Sequence, residues 1–171
     1  MATVWTVGHS TRSLEELIEL LRGCGVEAVV DVRTVPRSRA NPQFNREELE
    51  VKLPEAGIAY LHAKNLGGLR KARKDSPDSA WRDEGFRGFA DYMQTEDFKR
   101  ALEGLIDQAR STPTAIMCAE AVPWRCHRSL IADALVIRGI DVVEILDAAK
   151  SQPHKLTPFA VAQDGKLTYP P

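Results

Sequence analysis

The densest run of chemically capable side chains is Cys118-Ala119-Glu120-Ala121-Val122-Pro123-Trp124-Arg125-Cys126-His127-Arg128. An apolar stretch leads into it and a helical pattern leads out, so the run should pass from a strand end through a loop into a helix. The first N–H groups of such a helix lack intrahelical partners and carry partial positive charge, which suits an anion. A thiol there, beside Arg125, His127 and Arg128, should have a lowered pKa and act as a nucleophile. Cys118 is the expected nucleophile, with His127 or His9 as general acid/base and Arg33 and Arg128 clamping an anionic group. Arg128 in a first helical turn opposes the dipole and needs a compensating carboxylate or bound anion. Glu120 and Asp31 are the candidate carboxylates. Each residue also has a plain structural reading: Cys118 as a small buried hydrophobe, Asp31 paired with Arg33, and His127 and Arg128 paired with Glu120.

Two other chemistries compete. Cys118, Cys126 and His127, with His9 as a fourth ligand, would suit a metal ion. Cys126 and His127 are adjacent, however, and neighbours at a helix start diverge by about 100°. No CxxC knuckle or HExxH helix exists, so no metal ligand is assigned and no cofactor is named. The alternative is a non-catalytic nucleotide or nucleic-acid binding module. Basic residues outnumber acidic ones between Arg33 and Lys74, and such a surplus can meet phosphates. Gly67-Gly68 could cradle one, although neither GxGxxG nor GxxxxGK[ST] occurs. A small anionic or phosphate-bearing ligand is the expected partner.

These residues fall at the ends of predicted strands. Val4 to Val7 reads as a strand ended by Gly8-His9-Ser10, and Ser13 with Glu16 forms a capping box for a helix that Gly23 or Gly25 closes. A second strand at 28–33 carries Asp31 and Arg33, and a third at 58–61 precedes His62 and Lys64. The fourth, 114–118, ends on Cys118, and the fifth covers 141–146. Helices are expected over 46–53, 86–93, 96–110 and from Cys126 or His127 to Arg138. The polar stretch 64–85 is long enough to be a lid. Asp164-Gly165 between two short strand-like runs signals a hairpin. The alternation predicts an α/β, Rossmann-like three-layer domain with about five parallel strands, a core over 1–148 and a C-terminal extension with a β-hairpin over 149–171. Ligands bind such sheets at the carboxyl ends of the strands, where the winding reverses. His9, Ser10, Asp31, Arg33, Gly67, Gly68, Cys118, Glu120, Cys126, His127 and Arg128 should therefore share one crevice. Strands one and four are expected to be neighbours, which would set His9 beside Cys118.

Length and charge bound the function. The chain has 171 residues, enough for one core, with 23 basic against 24 acidic side chains. That balance excludes a general polyanion binder. No apolar run reaches the roughly 18 residues of a membrane span, no export signal is evident at the start, and three cysteines make a poor disulfide framework. A cytoplasmic, reduced protein is expected.

Thr6-Val7-Gly8-His9-Ser10, Asp31-Val32-Arg33 with Pro36-Arg37-Ser38, Leu66-Gly67-Gly68, and Cys118-Ala119-Glu120 with Pro123 and Cys126-His127-Arg128 resemble the bacterial and archaeal domain-of-unknown-function family 488. The resemblance implies a Rossmann-like α/β fold and no assigned activity. The position before Pro123, commonly acidic in that family, is Val122 here. The layout is also similar to rhodanese-type and cysteine-phosphatase sites, but the loop from Cys118 to Arg125 is one residue too long for theirs.

Overall fold

A computed structural model describes residues 2–171. Five parallel strands and one antiparallel strand form a central sheet. In chain order these are β1 (Thr3–Gly8), β2 (Ala28–Asp31), β3 (Ala59–His62), β4 (Thr114–Cys118), β5 (Asp141–Asp147) and β6 (Lys150–Pro153). Their spatial order is β3-β2-β4-β1-β5-β6. The chain winds outward from β1 to β2 and β3, then returns to place β4 between β2 and β1. The winding therefore reverses beside β4, where a ligand crevice is expected in such sheets. β6 was not anticipated: Lys150-Ser151-Gln152-Pro153 is polar and pairs antiparallel at the β5 edge, where proline is tolerated.

Among the described residues, five helices cover the two faces: α1 (Leu14–Gly23), α2 (Arg46–Glu55), α3 (Glu84–Tyr92), α4 (Glu96–Ser111) and α5 (Arg128–Val136). Strand side chains alternate between the faces. Val7, Val29, Ala115 and Met117 pack with Leu17, Leu21, Leu49 and Leu53 of α1 and α2. Val4, Val30, Ile116 and Cys118 pack with Phe89, Leu102, Leu130 and Leu135 of α3, α4 and α5. Ser13 and Glu16 complete the expected capping box, and Gly25 takes the left-handed conformation after α1 at φ +73°.

The C-terminal segment closes over α5. Its hairpin, β7 (Val161–Gln163) and β8 (Lys166–Thr168), turns through Asp164 and Gly165, both at positive φ, as a type I′ turn requires. Leu167 and Tyr169 belong to the core of the α3–α5 face. Asp133, in the otherwise apolar middle of α5, accepts hydrogen bonds from Thr157 N (3.1 Å), Thr157 Oγ1 (2.7 Å) and Tyr169 OH (2.7 Å). His154 bridges Asp133 (2.7 Å) and Glu144 of β5 (2.9 Å).

Close backbone approach decides two glycines. A Cβ on Gly8 would lie 1.8 Å from the carbonyl oxygen of Glu120. Backbone cannot yield to that, so Gly8→Ala should cost about 4 kcal/mol or more by separating β1 from the loop after β4. A Cβ on Gly104, within α4, meets nothing within 4 Å. Gly104→Ala should stabilise by about 0.5–1 kcal/mol through helix propensity. Denaturant midpoints of the two variants check the contrast; equal midpoints would refute the close approach.

Candidate active site

The site is built where β4 ends. Cys118 leaves the sheet towards α5, a loop and a 3₁₀ turn (Pro123–Arg125) follow, and Cys126 and His127 lead into α5. The two sulfur atoms are in contact at 2.7 Å. Both thiols are buried, Cys118 at 3% and Cys126 at 7% exposure, so a reagent reaches them only by displacing protein. Arg128 is buried completely. Its Nη1 donates to Cys118 Sγ (2.7 Å) and to Glu120 O, its Nη2 donates to Ala121 O (3.2 Å), and its Nε points at Thr6 Oγ1 (3.5 Å).

No carboxylate forms an ion pair with Arg128 among the described residues. Glu120 bonds Val122 N (3.1 Å) with its side chain and presents only its main-chain oxygen to the guanidinium. Asp31 is taken by Arg33. Glu144 is held by Gln152 and His154. The expected carboxylate partner is therefore replaced. A buried guanidinium without a counterion is very costly; the Glu144 carboxylate is within its electrostatic reach, and the thiol pair is in direct contact with it.

Burial and mutual contact shift the two thiols in opposite directions. Burial first, and then Cys126 as a neighbouring anion, push Cys118 well above the ordinary thiol range. The hydrogen bond with Cys118 holds Cys126 well below it, against burial, with His127 and Arg128 adding to the effect. The Arg128 main-chain N–H, at the start of α5, also points at Cys126 Sγ (3.5 Å), so the helix terminus supports a thiolate there. The depressed pKa expected of Cys118 thus belongs to its partner. Two contacting sulfurs cannot both be ionised in a dry site, and Cys126 has the helix start and the histidine.

His127 is oriented by backbone. Its Nε2 lies 2.9 Å from Val32 O and 3.1 Å from Leu66 O. Two carbonyl acceptors require that nitrogen to carry the proton. Nδ1 faces Cys126 Sγ at 3.6 Å. Phe89 packs its ring against the imidazole edge-on, and Gly68 lies so close that a Cβ there would fall 3.2 Å from Nδ1. Gly67 has the same role against Thr34, whose hydroxyl bonds Gly68 O (3.0 Å). The glycine pair thus seats a segment over the histidine.

The remaining expected residues form a separate buried cluster on the other face. β1 and β4 are neighbours as expected, and Gly8 pairs with Cys118. Yet one residue further along a strand is one face across. The His9 ring stacks on Phe44 at 4.3 Å. Its Nδ1 bonds Ser10 O (2.9 Å) and its Nε2 faces Arg33 Nη1 (3.3 Å), while burial lowers its pKa. Both ring nitrogens are engaged, and neither meets Cys118. Asp31 accepts from Arg33 Nε and Nη2 and from Tyr60 OH, and Arg33 Nη2 also bonds Phe44 O (2.7 Å). Arg33 is thereby committed to internal partners rather than left open as a clamp. Ser10 is half-buried with φ at +51°.

Sequence reasoning gave no role to Thr6, and missed Thr34 and Tyr60, which have no motif, and the Asp133–His154–Glu144 cluster. Asp133 between Ala132 and Ala134 of an apolar helix was the available signal. The segment 67–82 is strapped down rather than loose. Arg70 stacks over Tyr92 (3.7 Å), Asp91 accepts from Arg73 N and Ser76 Oγ, and Asp78 accepts from Tyr169 N (2.8 Å). Part of the basic surplus is paired nearby, since Arg37, Arg46, Lys52 and Arg73 each meet an acid. No group of three or more metal-ligating side chains converges among the described residues, so the Cys118, Cys126 and His127 alternative lacks its geometry. No helix among them is long and apolar enough to cross a membrane.

A family model described as "Domain of unknown function DUF488" matches residues 13–135. The chain belongs to the DUF488 family. The DUF488 match covers Asp31, Arg33, Gly67, Gly68, Cys118, Glu120, Cys126, His127 and Arg128, whereas Gly8, His9 and Ser10 lie outside it. No curated protein and no solved structure matches the chain.

Proposed function

We propose that this is a thiol-dependent enzyme of hydrolase or transferase type acting on a small anionic substrate. The nucleophile is the thiolate that Cys126 shares with Cys118, rather than Cys118 alone. One observation carries this reading: a completely buried Arg128 donates to Cys118 Sγ at 2.7 Å, sets its main-chain N–H against Cys126 Sγ at 3.5 Å, and has no paired carboxylate among the described residues. His127, fixed by two main-chain carbonyls, holds Nδ1 against Cys126 Sγ, where it can pass a proton to or from the sulfur. Arg128 and the α5 N-terminus supply the positive field for an anionic group. Movement of the segment seated by Gly67 and Gly68 would open the site. Arg33, Asp31 and His9 act behind it, holding the strand ends in place.

Ultraviolet thiolate absorbance tests the proposal without requiring access. The reduced protein should show about one thiolate at neutral pH, far more than an ordinary thiol of pKa about 8.5 allows. Cys126→Ser should abolish it. Cys118→Ser should retain it, because a hydroxyl still donates to the thiolate. Anionic iodoacetate should then be preferred over neutral iodoacetamide at Cys126 several-fold more than at Cys24. A featureless titration until the ordinary thiol range would refute the nucleophile, and equal reagent preference would refute the anionic substrate.

A further inference from the structure

A lone nucleophilic cysteine needs no second sulfur, yet this site holds two in contact. Cys118 and Cys126 are separated by a loop whose ends meet at 2.7 Å between sulfurs, and Arg128 touches both residues through Nη1 and its main-chain N–H. The third thiol, Cys24, follows α1 and is only partly buried. It has no sulfur, histidine or arginine against it among the described hydrogen bonds. The closed site admits a small electrophile more readily than a large one, and a thiolate beside a guanidinium and a second thiol has a resolving partner already in place.

We infer that Cys118 and Cys126 are a dithiol–disulfide pair that a small hydroperoxide oxidises, so that the site reduces peroxide to water. The inference rests on the shared thiolate proposed above and gives it a second class of substrate. In the first step Cys126 sulfur attacks one peroxide oxygen. The O–O bond breaks, a sulfenic acid forms on Cys126, and the departing hydroxide takes the Cys118 proton and leaves as water. Arg128 Nη1, 2.7 Å from Cys118 Sγ, stabilises the new Cys118 thiolate. In the second step that thiolate attacks Cys126 sulfur. The S–S bond forms, the S–O bond breaks, and the leaving hydroxide takes a proton from solvent. The two sulfurs lose two electrons and the peroxide gains them, giving two waters. An external low-molecular-weight dithiol then returns the pair to its reduced form.

Treatment of the reduced full chain with one equivalent of hydrogen peroxide tests this. Intact mass should fall by two hydrogens, peptide mapping should show a Cys118–Cys126 linkage, and Cys24 should remain open to alkylation. The pair should react at least about 10-fold faster than Cys24, and dithiothreitol should restore it. Cys118→Ser should stop at a sulfenic acid on Cys126 that dimedone traps. Oxidation at Cys24 as fast as at the pair, or further oxidation of Cys126 without linkage in the unmodified protein, would overturn the inference. Thiolate absorbance before oxidation separates the two readings. If it is present and no linkage forms, only the peroxide inference fails; if it is absent, both fail.

Discussion

Arg128→Met is expected to diminish the thiolate signal of the reduced protein at neutral pH and to lower its stability by about 3–5 kcal/mol. Methionine fills much of the same volume but removes the charge that the thiol pair faces. Cys126 would then hold its charge less firmly, because the guanidinium no longer adds to the hydrogen bond with Cys118 and to His127 in opposing burial. Glu120 O and Ala121 O, which accept from Arg128, would lose a buried donor, and the loop that carries Trp124 would lose its anchor. The pH dependence carries a distinct sign. A thiol held below its unfolded pKa contributes stability that is present above that unfolded value and lost as pH falls through the folded one. The native protein should therefore gain stability with rising pH over that interval, and Arg128→Met should gain less. Arg128→Lys should keep part of the thiolate, since charge remains although the fork is lost. Undiminished thiolate absorbance in Arg128→Met would show that another group is the counterion.

The second large effect concerns the C-terminal segment. Burial alone would lower the His154 pKa, but its hydrogen bonds to Asp133 and Glu144 outweigh that and raise it from 6.5 to about 9. A cation whose folded pKa is raised contributes stability that is fully present below its unfolded pKa. That contribution, about 3 kcal/mol for such a shift, is lost as pH rises from 6.5 through about 9. His154→Gln should remove this dependence from the stability–pH profile. Asp133→Ala should cost more at neutral pH, about 3–5 kcal/mol, because a buried imidazolium, Thr157 and Tyr169 OH all lose their acceptor. Urea unfolding across the alkaline range checks both. If the native profile and the His154→Gln profile run parallel, the clamp is not electrostatic.

Much of the architecture was legible because it follows from local rules. The capping box at Ser13 and Glu16, the Asp164-Gly165 hairpin, and the alternation of apolar strands with helical stripes need only short-range chemistry. β6 was not legible, because a polar edge strand has no buried face to impose a pattern on its residues. The candidate residues fall where the sequence pattern put them along the chain, at the strand ends and the start of α5, but their partnerships were not legible. The expectation that β1 and β4 are neighbours was sound. Placing His9 against Cys118 ignored parity, since Gly8 is opposite Cys118 and the next residue turns to the other face. That error was avoidable from the strand period alone. The partner of Arg128 was not, because the choice among Glu120, Asp31 and sulfur depends on long-range packing.

The sequence by itself determined the α/β class, the family-specific spacing from Cys118 to Arg128, and the gathering of charged residues at the strand ends. These depend on periodicity, caps and turn chemistry that a few consecutive residues can express. Only the tertiary structure decided that the cluster splits into two, with His9, Asp31 and Arg33 on one face of the sheet and the thiols, His127 and Arg128 on the other. It alone brought Cys118 and Cys126 into contact and left Arg128 with sulfur instead of a carboxylate. The physical reason is desolvation. A side chain's charge state is set by what surrounds it once water is removed, and those surroundings come from segments distant in the chain.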